Sequence, residues 1–246
     1  MPARIGIVAL AAITACSTIR PAYRVSAGSE GRPGLGTLWG ETRTSPLREV
    51  PFERATRGPF AQASIFYDDR DGLEAVAGRE ELSDALPPAY AGLETLVVDG
   101  GGRRLETVWV AGRTYVIGAE GERYRLRIHN RTARRVEVVA SVDGLDVIDG
   151  RSASLDKRGY LVEPFATLTI DGFRRNISEV AAFRFGPVSD SYAARTGEDR
   201  NVGVIGLAFF DEPGARFQDD DRSDEAERRR NAHPFSDSRF ARPPSL

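Results

Sequence analysis

The sequence predicts a mainly β protein, an antiparallel β-sandwich of the jelly-roll or immunoglobulin-like kind. The first observation is strict alternation in ERYRLRIHN, residues 122–130, where Tyr124, Leu126 and Ile128 share one face and arginines occupy the other. The second is that apolar runs of strand length recur without a long helical pattern between them, which is typical of a sandwich or a barrel. The third is a set of Asp-Gly dipeptides, typical of tight turns, at 143–144, 149–150 and 171–172.

Composition bounds the class of protein. The chain has 246 residues, which is enough for one domain with a sizeable core. Its net charge of -2 gives no strong attraction for nucleic acid, so we expect no nucleic-acid partner. Arginine supplies every basic residue except Lys157, and this general bias gives single arginines little weight. Cys16 is the only cysteine, which excludes an internal disulfide.

The amino-terminal segment predicts export. A weakly basic start at 1–4 precedes the apolar run 5–15, which has the length of a signal-peptide core. The run is too short to span a bilayer, since spanning takes roughly 20 residues. It ends in Ile-Thr-Ala-Cys at 13–16, which resembles the bacterial lipobox, where cleavage precedes a cysteine that is then acylated. The resemblance implies a signal peptide at 1–15 and a lipidated Cys16; an ordinary secretory signal is the alternative.

Lipidation would place the mature chain in the bacterial cell envelope, with the membrane as a partner through the lipid. The lipoprotein class carries three acyl chains, and two or more chains hold stably in a bilayer. Ser17 follows the cysteine in place of an aspartate, which in enteric-type bacteria implies transfer to the outer membrane. Residues 16–33 are rich in glycine, serine, alanine and proline and predict a flexible tether.

Residues 34–105 predict an irregular extension that packs with the core. Glycines and prolines separate isolated large apolar residues over 34–55, whereas 64–69 predicts a short strand. Residues 71–86 predict a short helix that Gly78 interrupts.

Residues 106–212 predict the sandwich domain itself. Two short apolar runs within 106–118 surround Ala111-Gly112-Arg113 and predict a hairpin. The strand at 135–142 repeats the alternation seen at 122–130. Further strands are predicted at 167–170, 179–185 and 202–210. The remaining residues, 213–246, mix opposite charges with few large apolar side chains and predict a disordered tail, with a short helix at 221–230 as the alternative.

Two segments outside the clearest strands are candidate binding elements. Residues 186–201 form a long polar link between two strong strands, and such loops often carry binding. Its candidate residues are Tyr192, Arg195, Asp199 and Arg200. Within the glycine-rich segment 34–41, Trp39 is a candidate aromatic platform for a sugar or a protein partner. The alternative in both cases is packing, with Tyr192 on the core and Trp39 closing one end of it.

Sequence motifs assign no catalytic residue, no metal and no cofactor. The metalloprotease, paired-cysteine and nucleophile-elbow patterns are absent from the sequence. Asp143, Asp146 and Asp149 lie three apart, but a calcium loop needs alternate ligands and a closing glutamate, so turns explain them better. A carboxylate pair for glycoside hydrolysis stays open, because sequence separation does not give the distance between two side chains.

Several stretches together resemble a family of uncharacterised bacterial exported proteins that are rich in β-structure. The stretches include GLGTLWGE at 34–41, VDGLDVIDG at 142–150 and RNVGVIG at 200–206. The resemblance spans about residues 34–210 and implies that both halves of the chain form one unit. The family carries no established activity and therefore implies no catalytic residue.

The leading expectation is a lipid-anchored envelope protein whose sandwich binds or scaffolds an envelope protein or polysaccharide without catalysis. A hydrolase of an envelope polymer is the alternative, and a purely structural spacer is a third. The feature that separates a binding protein from a hydrolase is a pocket with converging carboxylates or an activated nucleophile.

Overall fold

The computed structural model describes residues 32–78, 83–85 and 89–214, which form a mainly β protein of two packed sheets. The strands are β1 (Leu35–Thr44), β2 (Ala61–Asp68), β3 (Ser83–Asp84), β4 (Ala89–Tyr90), β5 (Leu93–Asp99), β6 (Thr107–Val110), β7 (Arg113–Ile117), β8 (Arg123–Asn130), β9 (Val136–Val142), β10 (Leu145–Asp146), β11 (Tyr160–Val162), β12 (Thr167–Ile170), β13 (Gly172–Arg174), β14 (Glu179–Pro187) and β15 (Val204–Asp211). The helices are α1 (Arg70–Ala77) and α2 (Tyr192–Arg195), and short 3-10 turns cover Val188–Asp190 and Asp199–Asn201. The sandwich prediction is confirmed.

The first sheet has the order β1-β14-β8-β5-β4 and is antiparallel. Strands β14 and β8 pair directly only where Phe183 lies opposite Tyr124 and Arg184 lies opposite Arg123. Beyond that point β12 pairs with β8 and β13 pairs with β14, so the β12–β13 segment fills the gap between two diverging strands.

The second sheet has the order β10-β9-β15-β2-β7-β6-β3, with β11 also paired to β9. Every pair in it is antiparallel except β2 with β7, which is parallel. The two-residue turn Ala111-Gly112 joins β6 to β7, and both residues have positive φ, as a tight hairpin turn requires. The predicted hairpin is therefore confirmed.

The core lies between the two sheets and is rich in aromatic rings. In β8 the side chains alternate between buried and half-buried along the strand, as predicted, with Leu126 fully buried and Arg125 on the outer face. Tyr124 stacks on Phe183 and on Phe185, with ring centroids 5.2 and 4.3 Å apart. Phe183 also contacts Phe173, whose ring in turn lies against Trp39 and Tyr192.

The structure differs from the expectation for residues 34–105, because this segment supplies strands to both sheets. β1 and β5 belong to the first sheet, and β2 belongs to the second. The sequence pattern did not predict β1, because glycine is unusual within strands and this segment has glycines at 34, 36 and 40. The predicted helix is present as α1, and its carboxyl end is at Gly78, where φ is 61°. Residues 16–31 of the predicted tether, and the tail from 215, lie outside the described residues.

An arginine ties part of this segment to the outer face of the second sheet. Arg54 donates to Glu137 Oε2 at 2.6 Å and to the carbonyls of Leu155 and Lys157, both at 2.5 Å. Its guanidinium also lies 3.7 Å from the ring centroid of Phe210. Glu137 in turn accepts from the backbone NH of Gly159 at 2.6 Å. The loop after β10 is thereby fixed against the sheet.

Candidate functional site

Two residues that were separate candidates in the sequence are in contact. Trp39 lies on β1, and its side chain is 43% exposed. Tyr192 opens α2, and the two ring centroids lie 4.7 Å apart. Phe173 supports both rings from the core side, with its centroid 6.1 Å from Trp39 and 5.0 Å from Tyr192. We call Trp39 and Tyr192 the aromatic platform.

Close backbone approaches hold α2 beside β1. Ser191 is fully buried and caps α2, since its hydroxyl accepts from Ala194 N at 3.1 Å and donates to Val188 O at 2.8 Å. A Cβ at Gly36 would lie only 2.7 Å from Ser191 Cβ, so a larger residue on β1 would push the loop away. The glycine-rich start of β1 therefore has a packing reason, which is to admit the loop that carries Tyr192.

The other side of Tyr192 meets the turn that ends at Gly150. A Cβ at Gly150 would lie 2.6 Å from Tyr192 Oη, and φ at this residue is 68°. Tyr192 is therefore enclosed by Trp39, Phe173 and the turn, and it is half-buried and packed on the core. Tyr192 therefore packs on the core and stays partly exposed, whereas Trp39 keeps a larger part of its surface in solvent.

The remaining candidates are exposed beside the platform. Arg195 is three residues after Tyr192 on α2, so the two share a helix face; its side chain is 69% exposed and lies 3.5 Å from Asp190. Asp199 and Arg200 lie on the second 3-10 turn. They line an open depression of about 340 Å³ formed by residues 197–201. The structure thus places Arg195 on the same short helix as Tyr192 and exposes Asp199 and Arg200 on the turn that follows.

A buried carboxylate beneath the platform was missed by the sequence analysis. Asp143 has the positive φ of 56° that its Asp-Gly turn suggests, yet its side chain points into the core and is 1% exposed. It accepts from Thr37 N at 2.8 Å, from Gly203 N at 3.0 Å and from the hydroxyl of Tyr67. Because Tyr67 uses its only hydroxyl hydrogen on Asp143, the Thr37 hydroxyl donates to Tyr67 Oη at 2.7 Å and accepts from Tyr124 Oη at 2.6 Å.

This network positions the platform. Thr37 is two residues before Trp39, and Gly203 closes the loop that contains Tyr192, so one carboxylate fixes both elements. Burial raises the pKa of Asp143 to about 6, although its three donors act in the opposite direction. Burial also raises the pKa of Tyr67 and of Tyr124, so both hydroxyls stay protonated. We call these four side chains the Asp143 network: Thr37, Tyr67, Tyr124 and Asp143.

The other two aspartates of the spaced set serve the turn, as predicted. Asp146 Oδ1 accepts from Ile148 N at 2.9 Å and from Asp149 N at 3.0 Å. Asp149 accepts from Arg151 N at 3.0 Å and pairs with Lys157 at 2.7 Å. Within the ranges that the structure describes, no group of three or more potential ligands could hold a metal ion.

A groove of about 200 Å³ lies on the outer face of the second sheet, away from the network. Gly206 forms its floor, and Ser64 and Ser141 lie opposite it on the two neighbouring strands. The loop at 153–155, which Arg54 fixes, forms one wall. None of the residues that line this groove has an ionisable side chain.

Comparisons of the chain with family models, curated proteins and solved structures give no match. None of the helices in the described part of the chain is long and apolar enough to cross a membrane. The function must therefore be argued from the residues themselves.

Proposed function

We propose that this protein is a lipid-anchored component of the bacterial cell envelope that binds another envelope component through the aromatic platform. The observation that carries the proposal is the contact between Trp39 and Tyr192, which are far apart in the sequence and lie in two different candidate binding segments. Trp39 presents 43% of its surface to solvent although an aromatic core cluster lies directly beneath it. An exposed tryptophan on a rigid base is the arrangement expected of a binding anchor.

The chemistry around the platform supports recognition. Tryptophan, tyrosine and arginine are the residues that dominate binding energy at protein interfaces, and Trp39, Tyr192 and Arg195 supply one of each. Asp199 and Arg200 add one exposed charge of each sign on the turn that follows α2. The Asp143 network holds β1 and the loop before any partner arrives, so binding would cost little ordering of the backbone. The partner is an envelope protein or a polysaccharide.

The anchor is proposed from the sequence alone. The Ile-Thr-Ala-Cys stretch supports acylation of Cys16, and Ser17 supports transfer to the outer membrane. The resemblance to exported β-rich proteins is consistent with this location. Residues 1–31 lie outside the described residues, so the proposal rests on the lipobox pattern and on the chain lengths needed for stable membrane attachment.

Binding accounts for the described residues better than hydrolysis of an envelope polymer does. Hydrolysis needs a carboxylate pair or an activated nucleophile that opens onto a groove. The groove over Gly206 is lined by uncharged residues, and Asp143 is buried with three hydrogen-bond donors around its carboxylate. We therefore propose no catalytic residue.

Fluorescence of Trp39 tests the proposal. The chain has two tryptophans, and their solvent exposures are similar, 43% for Trp39 and 49% for Trp109. In the Trp109→Phe variant, all tryptophan emission therefore comes from Trp39. We expect a saturable change in Trp39 emission on titration with either solubilised envelope proteins or isolated envelope polysaccharide, measured separately. Tyr192→Ala with Arg195→Ala should weaken the apparent affinity at least about tenfold, because hot-spot truncations cost roughly 2 kcal/mol or more.

The matched control is Trp39→Phe, which leaves Trp109 as the reporter on a different strand. Its emission should not respond to the same titrants. If Trp39 emission stays constant with both titrants, or if both reporters respond alike, the platform is not the binding site. The thermal transition of the double variant must be measured too, since Tyr192 packs on the core.

A further inference from the structure

The outer face of the first sheet carries a concentration of arginines. Arg123, Arg125 and Arg127 alternate along β8 and point away from the core. Arg184 on β14 lies opposite Arg123. Val98 on β5 lies opposite Arg125 on one side and opposite Arg104 on the other. Because directly opposed residues share a sheet face, all five arginines belong to one surface. We call it the arginine face: Arg104, Arg123, Arg125, Arg127 and Arg184.

Three of these guanidinium groups converge on one glycine turn. Gly100 O accepts from Arg123 Nη2 at 2.7 Å and from Arg125 Nη2 at 3.4 Å. Arg127 Nη1 lies 3.5 Å from Gly102 O, at the limit of a hydrogen bond. Each guanidinium carries five N–H donors, and these carbonyl contacts use only part of them. Arg125 is only partly accessible, with a side chain that is 20% exposed and a buried Nε. The turn brings three positive charges together without neutralising them.

Neighbouring carboxylates balance only part of this charge. Asp171 is 3.8 Å from Arg125, and Glu41 pairs with Arg184 at 2.8 Å. Asp99 is occupied by Arg103 at 2.8 Å and by two backbone NH groups. Across the residues with described side chains, Arg104, Arg123 and Arg127 form no ion pair. Like charges in such proximity favour an anionic partner.

The chemistry of the face indicates phosphate. The whole chain carries a net charge of -2, so the positive field is a local property of this surface. The planar guanidinium group matches phosphate oxygens in pairs, and clusters of four to eight basic residues next to a membrane attachment are typical of anionic-lipid binding. A bilayer surface would present many phosphates to the flat face of a sheet at once.

The chain connectivity between the face and the predicted anchor favours a membrane as the source of that phosphate. The tether joins the sandwich at the start of β1, where Leu35 lies opposite Pro187. Arg184, three residues from Pro187 along β14, begins the arginine face. The tether that the sequence predicts for 16–33 would have a root-mean-square reach of roughly 20 Å, which allows the face to meet the bilayer that holds the anchor.

We propose that the arginine face binds the anionic phosphate headgroups of the membrane to which the protein is attached, and so orients the sandwich on that membrane. This inference rests on the anchoring proposed above. It assigns the outer face of the first sheet to lipid and leaves the aromatic platform, on the edge strand β1 and the adjoining loop, for the partner.

Vesicle co-sedimentation tests the proposal without the acyl chains. The chain from Ser17 to Leu246 contains every residue that the structure describes and is used unacylated. We expect it to bind phosphatidylcholine vesicles that contain about 30% phosphatidylglycerol, and not pure phosphatidylcholine, with binding that weakens as salt rises. Changing Arg123, Arg125 and Arg127 together to glutamine should reduce the partition coefficient at least about tenfold, since each membrane-facing arginine is worth about fivefold.

The matched control changes three exposed arginines elsewhere, Arg57, Arg151 and Arg158, to glutamine, with the same loss of charge. The control variant should bind almost as well as the unchanged chain. Equal losses in the two triple variants would mean that only net charge matters, and an unchanged chain that ignores anionic vesicles would end the proposal. If the first triple variant fails to melt cooperatively, Arg127→Gln alone replaces it, with an expected loss of about fivefold.

A competition arm separates the lipid from free phosphate. Inorganic phosphate at about 10 mM is added at constant ionic strength, so that any change reflects competition and not screening. Vesicle binding should persist, because many headgroups act at once. Complete displacement would mean that the turn holds single phosphate ions, and would overturn the assignment to a membrane. The Trp39 titration is independent of this result, so failure here leaves the aromatic platform intact.

Discussion

Asp143 has two roles that its place in an Asp-Gly turn does not reveal. Its backbone makes the turn, with φ at 56°, and its side chain links β1, β2 and the end of the 186–201 loop. A buried carboxylate is costly unless hydrogen bonds surround it, and three donors meet this need. The same burial raises its pKa to about 6, well above the value of 3.8 for an unperturbed aspartate.

This raised pKa predicts a pH dependence of stability. The folded protein holds the Asp143 proton more tightly than the unfolded chain, so the contribution of this group is present at low pH and is lost as pH rises through about 6. Between pH 7 and pH 5 the group should add about 1 kcal/mol to the free energy of unfolding. Asp143→Asn should remove this increment, measured by urea denaturation at both pH values.

The matched control is Asp156→Asn, at an exposed residue. It should keep the pH dependence of the unchanged chain. Asp143→Asn with an undiminished increment would show that another group is responsible. Burial also raises the pKa of Asp68 and of Asp146, so those carboxyls contribute in the same direction and must be left in place.

Residue-level prediction succeeded where the pattern was repetitive. Alternation along 122–130 placed Leu126 inside and Arg125 outside, because one face of a strand must be buried. The glycine-rich segment 34–41 and the polar loop 186–201 indicated Trp39 and Tyr192 as candidates, but not the contact between them. Asp143 was assigned to a turn only, since nothing local distinguishes a turn aspartate in water from one that points inward. The partners that define its role, Thr37 and Tyr67, are far away in the sequence.

At the level of elements, β13 depends on a residue without a side chain. Gly172 lies opposite Ala182, and a Cβ there would be 1.9 Å from Ala181 O. Gly172→Ala should therefore destabilise the protein by roughly 1–3 kcal/mol, the range for overpacking, because backbone atoms must move. The matched control is Gly58→Ala, where a Cβ would meet nothing within 4 Å. Thermal melts of the two variants should differ clearly, and equal transitions would contradict the close approach.

The strands that the sequence revealed are those with continuous apolar or alternating patterns. The segments 135–142, 167–170, 179–185 and 202–210 correspond to β9, β12, β14 and β15. The sequence did not predict β1, because its glycines are required for close contacts with Ser191 and with the Ala182 carbonyl. Both partners are far away in the sequence, so no local pattern indicates these contacts. β5 follows a segment with no clear period, so its apolar run was not joined to the sandwich. The hydrophobic pattern of a sequence predicts a strand only where burial of side chains determines the residue types. It fails where glycines are needed so that another part of the backbone can come close.

At the scale of the whole molecule, the described residues between 32 and 214 belong to one compact unit. The 34–105 segment and the 106–212 segment interleave, because β1 pairs with β14 and β2 pairs with β15. A cut between them would therefore divide both sheets. This interleaving agrees with the expectation, drawn from the family resemblance, that the two halves form one unit.

Membrane attachment is the prediction that belongs to this scale. Cys16→Ala should remove the acyl chains, so the protein should appear in the soluble envelope fraction or persist as an uncleaved precursor. Membrane fractionation and intact-mass measurement of the native mature chain check the outcome. The control is Ser17→Ala, one residue later, which should leave acylation unchanged. An unacylated Cys16 in the native mature chain would contradict the anchor.

The pairing of β1 with β14 also sets the order in which the chain can fold. Leu35 meets Pro187, so the first strand of the sandwich must wait for one of the last. Ribosomes make the amino terminus first, and contacts between residues so far apart close slowly because the intervening chain loses much entropy. During that interval β1 has no neighbour and the apolar faces of β8 and β9 are uncovered. A chain interrupted before residue 179 would therefore aggregate rather than persist as a smaller folded piece.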